Sequence, residues 1–301
     1  MADGAVDVAI DFGPDRLAID RALESFCDHY LEGLQPRVAD AIRYSLMGEG
    51  KRLRGILFLR AYEAAGGTGD GSAMAGAIEV VHAYSLVHDA LPCMDDDDVR
   101  RGRPTVHRAF GVAAATAAGL AMVPLAARCA ADAARALGLD DDEAGTIVRE
   151  LMIASGAGGM IGGQLLDLEG EGRPLALEEL QRIHNAKTGA LIAAAATIGG
   201  RAARTSPAPR AALERYGADI GLAFQIADDV LDVTATTDQL GKTAGRDVAL
   251  QKSTYPALLG IDGAKFRAGA LVREGCSALD EVGLLTPSLD RIAHFTIERT
   301  S

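Results

Sequence analysis

Two separate acidic segments contain residues that are candidates for chemistry. In the first, Asp89 ends an apolar stretch and Asp95 opens a run of four aspartates beyond Pro92. In the second, Asp228 and Asp232 lie within a stretch that is otherwise apolar. Carboxylates in apolar surroundings cost stability unless a cation lies between them, and a hard divalent ion with oxygen ligands is the natural candidate. The two segments therefore predict a divalent-metal site.

Helical spacing groups these residues on common faces. His82, Ser85 and Asp89 are separated by three and four residues, so a helix would direct all three into one cleft. The second segment forms a similar acidic stripe, made of Gln225, Asp228, Asp229 and Asp232. Acidic clusters more often cap helices or cover solvated surfaces, so neither segment alone establishes a site.

Basic residues elsewhere in the chain change this interpretation. Donors for phosphate oxygens are available at Lys51, Arg54, Arg100, Arg101, Lys187, Thr188 and Lys242. Lys187-Thr188-Gly189 read alone would be an ordinary helix surface, and His82 read alone would be a core histidine. Carboxylates, metal ions and basic donors together indicate a site for a diphosphate.

The elements that must position these residues are predicted to be helices. Apolar periodicity predicts helical segments at 16–32, 36–47, 52–66, 72–89, 108–136, 141–156, 177–202, 208–235 and 288–299. Alternating strand patterns are not evident, and a composition rich in Ala with 4% aromatic residues and no Trp suits helix-on-helix packing. We expect one all-α domain over residues 1–301, mobile only in about the first ten residues and at 235–252.

Composition narrows the partners and the compartment. A net charge of −12 makes nucleic acid a poor partner. The four cysteines lack CxxC or zinc spacing and are expected to be free thiols in a reducing cytoplasm. The acidic N-terminal stretch lacks the pattern of a secretion signal. Gly111–Ala127 is marginal for a membrane span, and a buried helix is favoured, with a subunit contact as one location for it.

Seven motifs in order resemble one family, the trans-isoprenyl (polyprenyl) diphosphate synthases, and within it the bacterial farnesyl diphosphate synthases. The matching segments are GEGKRLRG at 48–55, Asp89 to Asp95, Gly163 to Asp167, Lys187-Thr188-Gly189, Phe224 to Asp232, Gly241-Lys242 and Lys252 to Pro256. They resemble, respectively, the GGKRxRP motif, the first Asp-rich motif, GQxxD, KTG, the second Asp-rich motif FQxxDDxLD and the two tail motifs. The resemblance extends over almost the whole chain.

The resemblance implies an isoprenoid synthase fold, a helical bundle around a deep central cavity, usually as a homodimer. It implies that Asp89 and Asp95 bind two Mg²⁺ ions and Asp228 a third, with Asp232 completing the stripe and Mn²⁺ as an alternative metal. The implied contacts to the allylic diphosphate are Arg100, Lys187, Thr188, Gln225 and Lys242. Those implied for isopentenyl diphosphate are Lys51, Arg54, His82 and Arg101.

The implied reaction begins with metal-assisted loss of diphosphate from the allylic substrate. The double bond of isopentenyl diphosphate attacks the resulting cation, and the departed diphosphate removes the last proton. Tyr84 and Ser85 lie about one turn before Asp89, and an aromatic residue there resembles the short-chain bacterial pattern, in which the ring closes the pocket around a C15 product. Plain core packing of Tyr84 is the alternative. A C20 synthase and a noncatalytic or weakly active binding subunit are the alternatives, whereas a terpene cyclase would not need the second diphosphate site.

Three positions depart from the family pattern. Ala90 replaces the usual second aspartate of the first motif, which leaves the outer ligands in place but weakens the electrostatic support for the metals. Gly55 replaces the usual proline after Arg54. Leu120 occupies a position where relatives often carry aspartate.

Overall fold

The computed structural model describes residues 11–100, 102–234 and 252–298. The first half contains α1 (Gly13–Tyr30), α2 (Pro36–Leu46), α3 (Leu53–Ala64), α4 (Ser72–Asp89), strands β1 (Val99–Arg100) and β2 (Arg103–Pro104), α5 (Val106–Phe110) and α6 (Val112–Ala136). The second half contains α7 (Asp141–Ser155), α8 (Met160–Glu169), α9 (Leu177–His184), a π-turn (Asn185–Gly189), α10 (Ala190–Ala202), α11 (Pro207–Thr234), α12 (Tyr255–Asp280) and α13 (Pro287–Glu298). The all-α class is confirmed.

Local sequence explains where several helices begin. Gln35 accepts a hydrogen bond from the Val38 amide, and proline follows it at the first position of α2. Asp140 and Glu143 form a reciprocal capping box at α7. Thr254 caps α12 by accepting from the Ala257 amide. These side chains satisfy amides that have no partner within the helix.

The core is built on α4, in which most residues are buried. This helix packs against α1, α3 and α6, while α10 packs against α3, α7 and α11. The helix α11 in turn contacts α12, α13 and the π-turn. Because α3 contacts both α4 and α10, the helices that end in the two acidic segments belong to one packed assembly.

Glycines permit the closest helix contacts near the site. A Cβ at Gly163 would lie 2.2 Å from the backbone nitrogen of Lys187, so α8 and the π-turn touch backbone to backbone. A Cβ at Gly221 would lie 2.9 Å from the Cα of Gly189, which brings α11 equally close to the π-turn. A side chain at either position would push apart elements that carry candidate site residues.

All nine predicted helical segments correspond to helices, with two differences in detail. Gly111, at φ 86°, separates α5 from α6 within the predicted 108–136 segment. The π-turn interrupts the predicted 177–202 segment, because an extra residue enters the helical turn at Asn185–Gly189. Pro124 lies inside α6 without ending it.

Three elements were missed by the sequence interpretation. The helix α8 follows a glycine-rich stretch and contains Gly162 and Gly163, which weaken its helical pattern. The helix α12 is kinked at Gly260, where φ is 73°. The hairpin β1–β2 has strands of two residues, too short to show alternation, which corrects the expectation that strands are absent. The segments expected to be mobile, about the first ten residues and 235–252, lie outside the described residues except for Lys252.

Two segments are long and apolar enough by composition to cross a membrane, Val112–Ala136 and Asp141–Glu169. In each, 39% of the most apolar window is buried inside the protein. The second segment contains both α7 and α8, which are interrupted at Gly156 to Gly159. Core helices of soluble proteins meet the same criterion, so this composition is weak support for a membrane span.

We predict that Gly163→Ala lowers the free energy of unfolding by about 1 to 3 kcal/mol, because the added methyl group meets backbone that cannot give way. Gly145→Ala in α7 is the matched control, since a Cβ there meets no atom within 4 Å. It should raise the free energy of unfolding by about 0.5 to 1 kcal/mol through helix propensity. Urea denaturation of the two variants measures both values, and equal effects would contradict the close contact at Gly163.

Candidate active site

The first acidic segment folds back on the end of α4. The Leu91 amide donates to the carbonyl of His88, and the Asp95 amide donates to the carbonyl of Asp89 at 2.8 Å. Pro92 prevents the helix from continuing, so the chain turns instead. The turn brings the first and last aspartates of the motif together although six positions separate them.

A hairpin held against α2 positions Arg100. The Tyr44 hydroxyl donates to the carbonyl of Pro104 at 2.8 Å, and the guanidinium of Arg103 lies 3.8 Å from the centre of the Tyr44 ring. Thr105 closes the preceding loop by donating its hydroxyl hydrogen bond to the carbonyl of Asp97 at 2.7 Å. Among the described residues, Arg100 makes a long contact of 3.5 Å with the Asp97 carboxylate.

Charge from four neighbouring side chains acts on Asp89. Burial raises the pKa of Asp89 to about 6, with the charges of Lys187 and Arg100 opposing the rise and those of Asp95 and Asp167 adding to it. The structure therefore brings four of the predicted site residues, Asp89, Asp95, Arg100 and Lys187, into one electrostatic group. Burial makes ionisation of Asp89 unfavourable, and a divalent cation bound to the carboxylate would stabilise the ionised form.

Asp167 at the end of α8 binds two lysines. Lys187 Nζ lies 2.7 Å and Lys252 Nζ 2.8 Å from the same oxygen, Oδ2. Burial would raise the pKa of Asp167, but the charges and hydrogen bonds of the two lysines outweigh it and hold this pKa at about 2. Lys252 also lies 3.3 Å from Glu171. The two ammonium groups are thereby held beside Asp89 and Asp95.

The π-turn connects this group to the second acidic segment. Thr188 donates its hydroxyl to Oε1 of Gln225 on α11 at 3.0 Å, so these two predicted residues are brought together. Along α11, Asp228 is half-buried, whereas Asp229 and Asp232 are 3% and 5% exposed. That Asp228 and Asp232 face Asp89 across a cavity remains a prediction.

The residues predicted to bind isopentenyl diphosphate lie around α3 and α4. Lys51 is in the turn before α3, where its ammonium lies 5.8 Å from the ring centre of Phe295 on α13. Arg54 is in the first turn of α3, and His82 is in α4, which packs on α3. Their joint role as a binding set remains a prediction.

Arg52 determines the shape of the turn that carries Lys51. It has a left-handed backbone, with φ 51°, and is 6% exposed. Its guanidinium donates to the carbonyls of Leu46 and Gly48 at 2.9 and 3.0 Å and to Asp20 at 2.8 Å. The Lys-Arg pair thus combines an exposed lysine with a buried arginine that holds the loop.

Tyr84 lies deep in α4, one turn before Asp89. It is 3% exposed, and its hydroxyl donates to the carbonyl of Ser155 on α7 at 3.3 Å. The ring meets that of His88 edge-on at 5.6 Å, and His88 rests against Gly119 on α6. Ser85 is 8% exposed and donates to the carbonyl of His82. Tyr84 thus contacts α7 directly and α6 through His88, below the acidic turn.

Two predicted site residues, Arg101 and Lys242, lie outside the described residues. Another group of potential metal ligands, Asp96, Asp98 and His107, has ligand atoms within 4.8 Å of one another. Both carboxylates are exposed, and Asp98 is also paired with Arg108. Exposed acidic groups of this kind are common without an ion, so we assign it no metal role.

Comparisons with known proteins identify the family. The sequence model described as polyprenyl synthetase matches residues 35–275. The chain belongs to the polyprenyl synthetase family. The farnesyl diphosphate synthase of Escherichia coli is 44% identical over 271 residues, covering 87% of this chain and 89% of that protein.

Solved structures agree with the assignment. An FPP/GFPP synthase from Zymomonas mobilis, in an apo structure, superimposes with a TM-score of 0.79 at 34% identity, covering 94% of this chain and 99% of that one. A geranyltransferase from Helicobacter pylori, complexed with magnesium and isoprenyl diphosphate, gives 0.78 at 30% identity over 96% and 98% of the two chains. The isoprenyl diphosphate synthase fold expected from the motifs is confirmed.

Four residues that contact the candidate site residues were given no separate role by the sequence interpretation. Asp167 and Lys252 lie in motifs that were noticed, but no role was given to their charges. Asp229 was counted only as part of the acidic stripe. His184 has no sequence signal beyond its position three residues before Lys187, and only its contacts reveal it.

The structure gives a physical setting for each departure from the family pattern. Ala90 is 1% exposed, so an aspartate there would add a buried charge beside Asp89. The amide of Gly55 donates to the buried Glu79 carboxylate at 2.9 Å, a bond that proline could not make. Leu120 is 65% exposed on α6, where an apolar side chain suits a contact with another chain better than water.

We predict that Asp89→Asn stabilises the metal-free protein at pH 7.5. The carboxyl binds its proton more tightly in the folded state, since its pKa rises from 3.8 to about 6. Its ionisation therefore costs stability above pH 6 and has no effect below about pH 4. The gain in unfolding free energy should be about 1 to 2 kcal/mol at pH 7.5, allowing for partial exposure.

Denaturant titrations in EDTA at pH 7.5 and at pH 4 test this prediction. The difference between Asp89→Asn and the natural chain should vanish at the lower pH. A gain of the same size at both values would show that the substitution acts through packing rather than through charge.

Proposed function

We propose that this polyprenyl synthetase condenses isopentenyl diphosphate with dimethylallyl or geranyl diphosphate and makes farnesyl diphosphate. The observation that carries the proposal is the group around Asp89, in which carboxylates, two lysines and an arginine meet within one site. This combination fits a diphosphate that binds together with divalent cations. Carboxylates alone would bind the cations but repel the diphosphate, and basic side chains alone would bind the diphosphate but repel the cations.

Oxygen ligands suited to Mg²⁺ are available in the proposed site. Asp89 and Asp95 would hold two ions and Asp228 a third, with Asp232 completing the acidic stripe and Mn²⁺ as an alternative metal. Bound metal would supply Lewis acidity that neutralises the diphosphate and weakens the allylic C–O bond. The raised pKa of Asp89 supports this assignment, since a cation would remove the cost of its ionisation.

The side chains around the metals would stabilise the leaving group. Lys187, Lys252 and Arg100 can donate to diphosphate oxygens as the C–O bond breaks and both electrons leave with the diphosphate. The double bond of isopentenyl diphosphate then bonds to the allylic carbon, and the diphosphate accepts the proton released from the former isopentenyl carbon. Lys242 and Thr188 with Gln225 would complete this subsite.

A second diphosphate subsite distinguishes elongation from ionisation alone. Lys51, Arg54, His82 and Arg101 would hold isopentenyl diphosphate. The hydrogen bonds of Arg52 support this role, because its three contacts hold the turn that carries Lys51 in place before a ligand binds. An enzyme that only cyclised one substrate would not need this basic turn.

Steady-state elongation assays test the activity. The protein should convert labelled isopentenyl diphosphate with dimethylallyl or geranyl diphosphate into a C15 product in the presence of Mg²⁺, and EDTA should abolish the reaction. Chromatography of the dephosphorylated products measures carbon number. A C20 product would favour the geranylgeranyl alternative, and failure to extend any starter would favour a noncatalytic binding subunit.

Tyr84 is proposed to limit product length. The growing chain must extend away from the metals, and one helical turn of about 5.4 Å is close to one isoprene unit. We predict that Tyr84→Ala shifts the main product from C15 to C20 or longer because it opens the space below Asp89.

Tyr84→Phe is the matched control for this prediction, since it removes only the hydroxyl that donates to Ser155. It should keep a C15 product. Unchanged product length in Tyr84→Ala would refute the role of Tyr84 as the floor of the pocket and leave it as a core residue.

A homodimer is the proposed assembly. Exposed apolar side chains on three successive helices support it, namely Leu120 on α6, Ile153 on α7, and Ile161 and Leu165 on α8, which are 51 to 65% exposed. Light scattering should give about twice the chain mass of 31.2 kDa. Ile153→Asp should shift the mass toward the monomer, and no dimer in the natural chain would refute the assembly.

The cytoplasm is the proposed location. All four cysteines are free thiols, and Cys27, Cys129 and Cys276 are buried. Burial raises the pKa of the Cys27 thiol to about 11, so that thiol stays protonated and unreactive. Free thiols of this kind are typical of a reducing compartment.

A further inference from the structure

One carboxylate of the second acidic segment is occupied by other protein groups. Asp229 is 3% exposed and adjacent to the proposed metal ligand Asp228. Its Oδ2 accepts from the Tyr255 amide at 3.0 Å and lies 3.1 Å from Nε2 of His184. Its Oδ1 accepts from the Gln225 side-chain amide at 3.3 Å. We call these four residues, Asp229, His184, Gln225 and Tyr255, the Asp229 junction.

The hydrogen-bond directions within the junction are consistent with one another. A backbone amide can only donate, so Tyr255 needs the carboxylate as its acceptor. The hydroxyl of Thr188 donates to Oε1 of Gln225, which leaves the NH₂ group of Gln225 facing Asp229. The ring of His184 stacks on that of Tyr255 at 5.7 Å, which orients Nε2 toward Oδ2. Both lone pairs of Oδ2 therefore have partners.

Each partner of Asp229 belongs to a different segment of the allylic subsite. His184 ends α9 and directly precedes the π-turn, which carries Lys187 and Thr188. Tyr255 begins α12, three residues after Lys252. Gln225 lies on α11 and holds Thr188. A single carboxylate thus joins the segments that supply both lysines bound by Asp167.

We infer that Asp229 is a positioning residue for the allylic diphosphate subsite and does not ligate metal, and this inference rests on the proposed function. A metal ion on Oδ2 would have to displace the Tyr255 amide or His184, which would leave a donor unsatisfied, and a metal ion on Oδ1 would compete with the Gln225 side-chain amide. The adjacent Asp228 is half-buried and remains the ligand. The two neighbouring aspartates have separate tasks, one toward the metal and one toward the protein.

Asp229→Asn removes the charge while keeping the shape of the side chain. The NH₂ group of asparagine would face one of the three hydrogen-bond donors to Asp229, namely His184, Gln225 or the Tyr255 amide. The π-turn and the start of α12 would then no longer be bound to the same side chain. The two lysines are then less well placed for the diphosphate. We expect the KM for the allylic diphosphate to rise about tenfold, with the KM for isopentenyl diphosphate and the Mg²⁺ concentration for half-maximal rate unchanged.

Two comparisons separate positioning from other roles. Asp228→Asn should instead raise the Mg²⁺ requirement, because it removes a ligand. Asp219→Asn is the matched control, since it removes another poorly exposed carboxylate from α11, one that lies 3.7 Å from Arg215 and also interacts with Arg267, outside the Asp229 junction. It should leave both KM values unchanged.

His184→Phe provides an independent variant in case Asp229→Asn does not fold. The phenyl ring keeps the stacking on Tyr255 but loses the contact to Oδ2, so it should also raise the allylic KM. If both residues act through the junction, the double variant should resemble the single ones, with a tenfold rather than a hundredfold change.

Calorimetric titration with inorganic pyrophosphate and Mg²⁺ measures the subsite without turnover. If the natural chain does not elongate, the proposed function fails, and this titration decides the inference by itself. Weaker pyrophosphate binding in Asp229→Asn and His184→Phe, but not in Asp219→Asn, would support it. A raised Mg²⁺ requirement in Asp229→Asn, equal losses for both substrates, or independent effects of the two variants would overturn it.

Discussion

The arrangement of the site depends on the bond between two lysines and one carboxylate oxygen. Lys187 and Lys252 come from segments 65 residues apart in the chain, and both lie within 2.8 Å of Oδ2 of Asp167. Two ammonium groups that contact the same oxygen would repel each other in a poorly solvated site, and the negative charge of the shared carboxylate offsets that repulsion. The lysines are therefore assembled before any phosphate is present, as catalysis by preorganised charge requires.

Close packing of backbone is what makes this charge arrangement possible. Gly163 lets α8 touch the π-turn, and Gly221 lets α11 approach the same turn from another direction. A helix separated by ordinary side chains would hold Asp167 several ångströms from Lys187. The π-turn itself adds one residue to the helix and so changes which way Lys187 and Thr188 project, a feature common at functional sites.

Two departures from the family pattern change the charge or the hydrogen bonding near the site. Ala90 leaves Asp89 as the single carboxylate at the end of α4, and its pKa is already raised to about 6 by burial. A second buried carboxylate there would make the metal-free site still less stable, whereas it could strengthen metal binding. Gly55 has its own compensation, since its amide satisfies Glu79 inside the core.

The local sequence determines most of the helices and the chemical character of the acidic and basic segments, because amphipathic periodicity, helix caps and composition are local properties. This applies to α4 and α11, which end in or carry the two acidic segments, and to the donors Lys51, Lys187 and Arg100. The helix α8 and the kinked helix α12 were not predicted, because their glycines interrupt the apolar periodicity. Tertiary packing stabilises these segments as helices.

Only the tertiary structure showed which charges meet. Asp95 returns to Asp89 through a turn, Asp167 binds two lysines distant in the chain, and Asp229 is buried among protein donors whereas Asp228 is half-buried. The last distinction cannot be read from two consecutive aspartates. Burial and hydrogen-bond partners depend on helices far apart in the sequence, and these decide whether a carboxylate can serve a metal or must serve the protein.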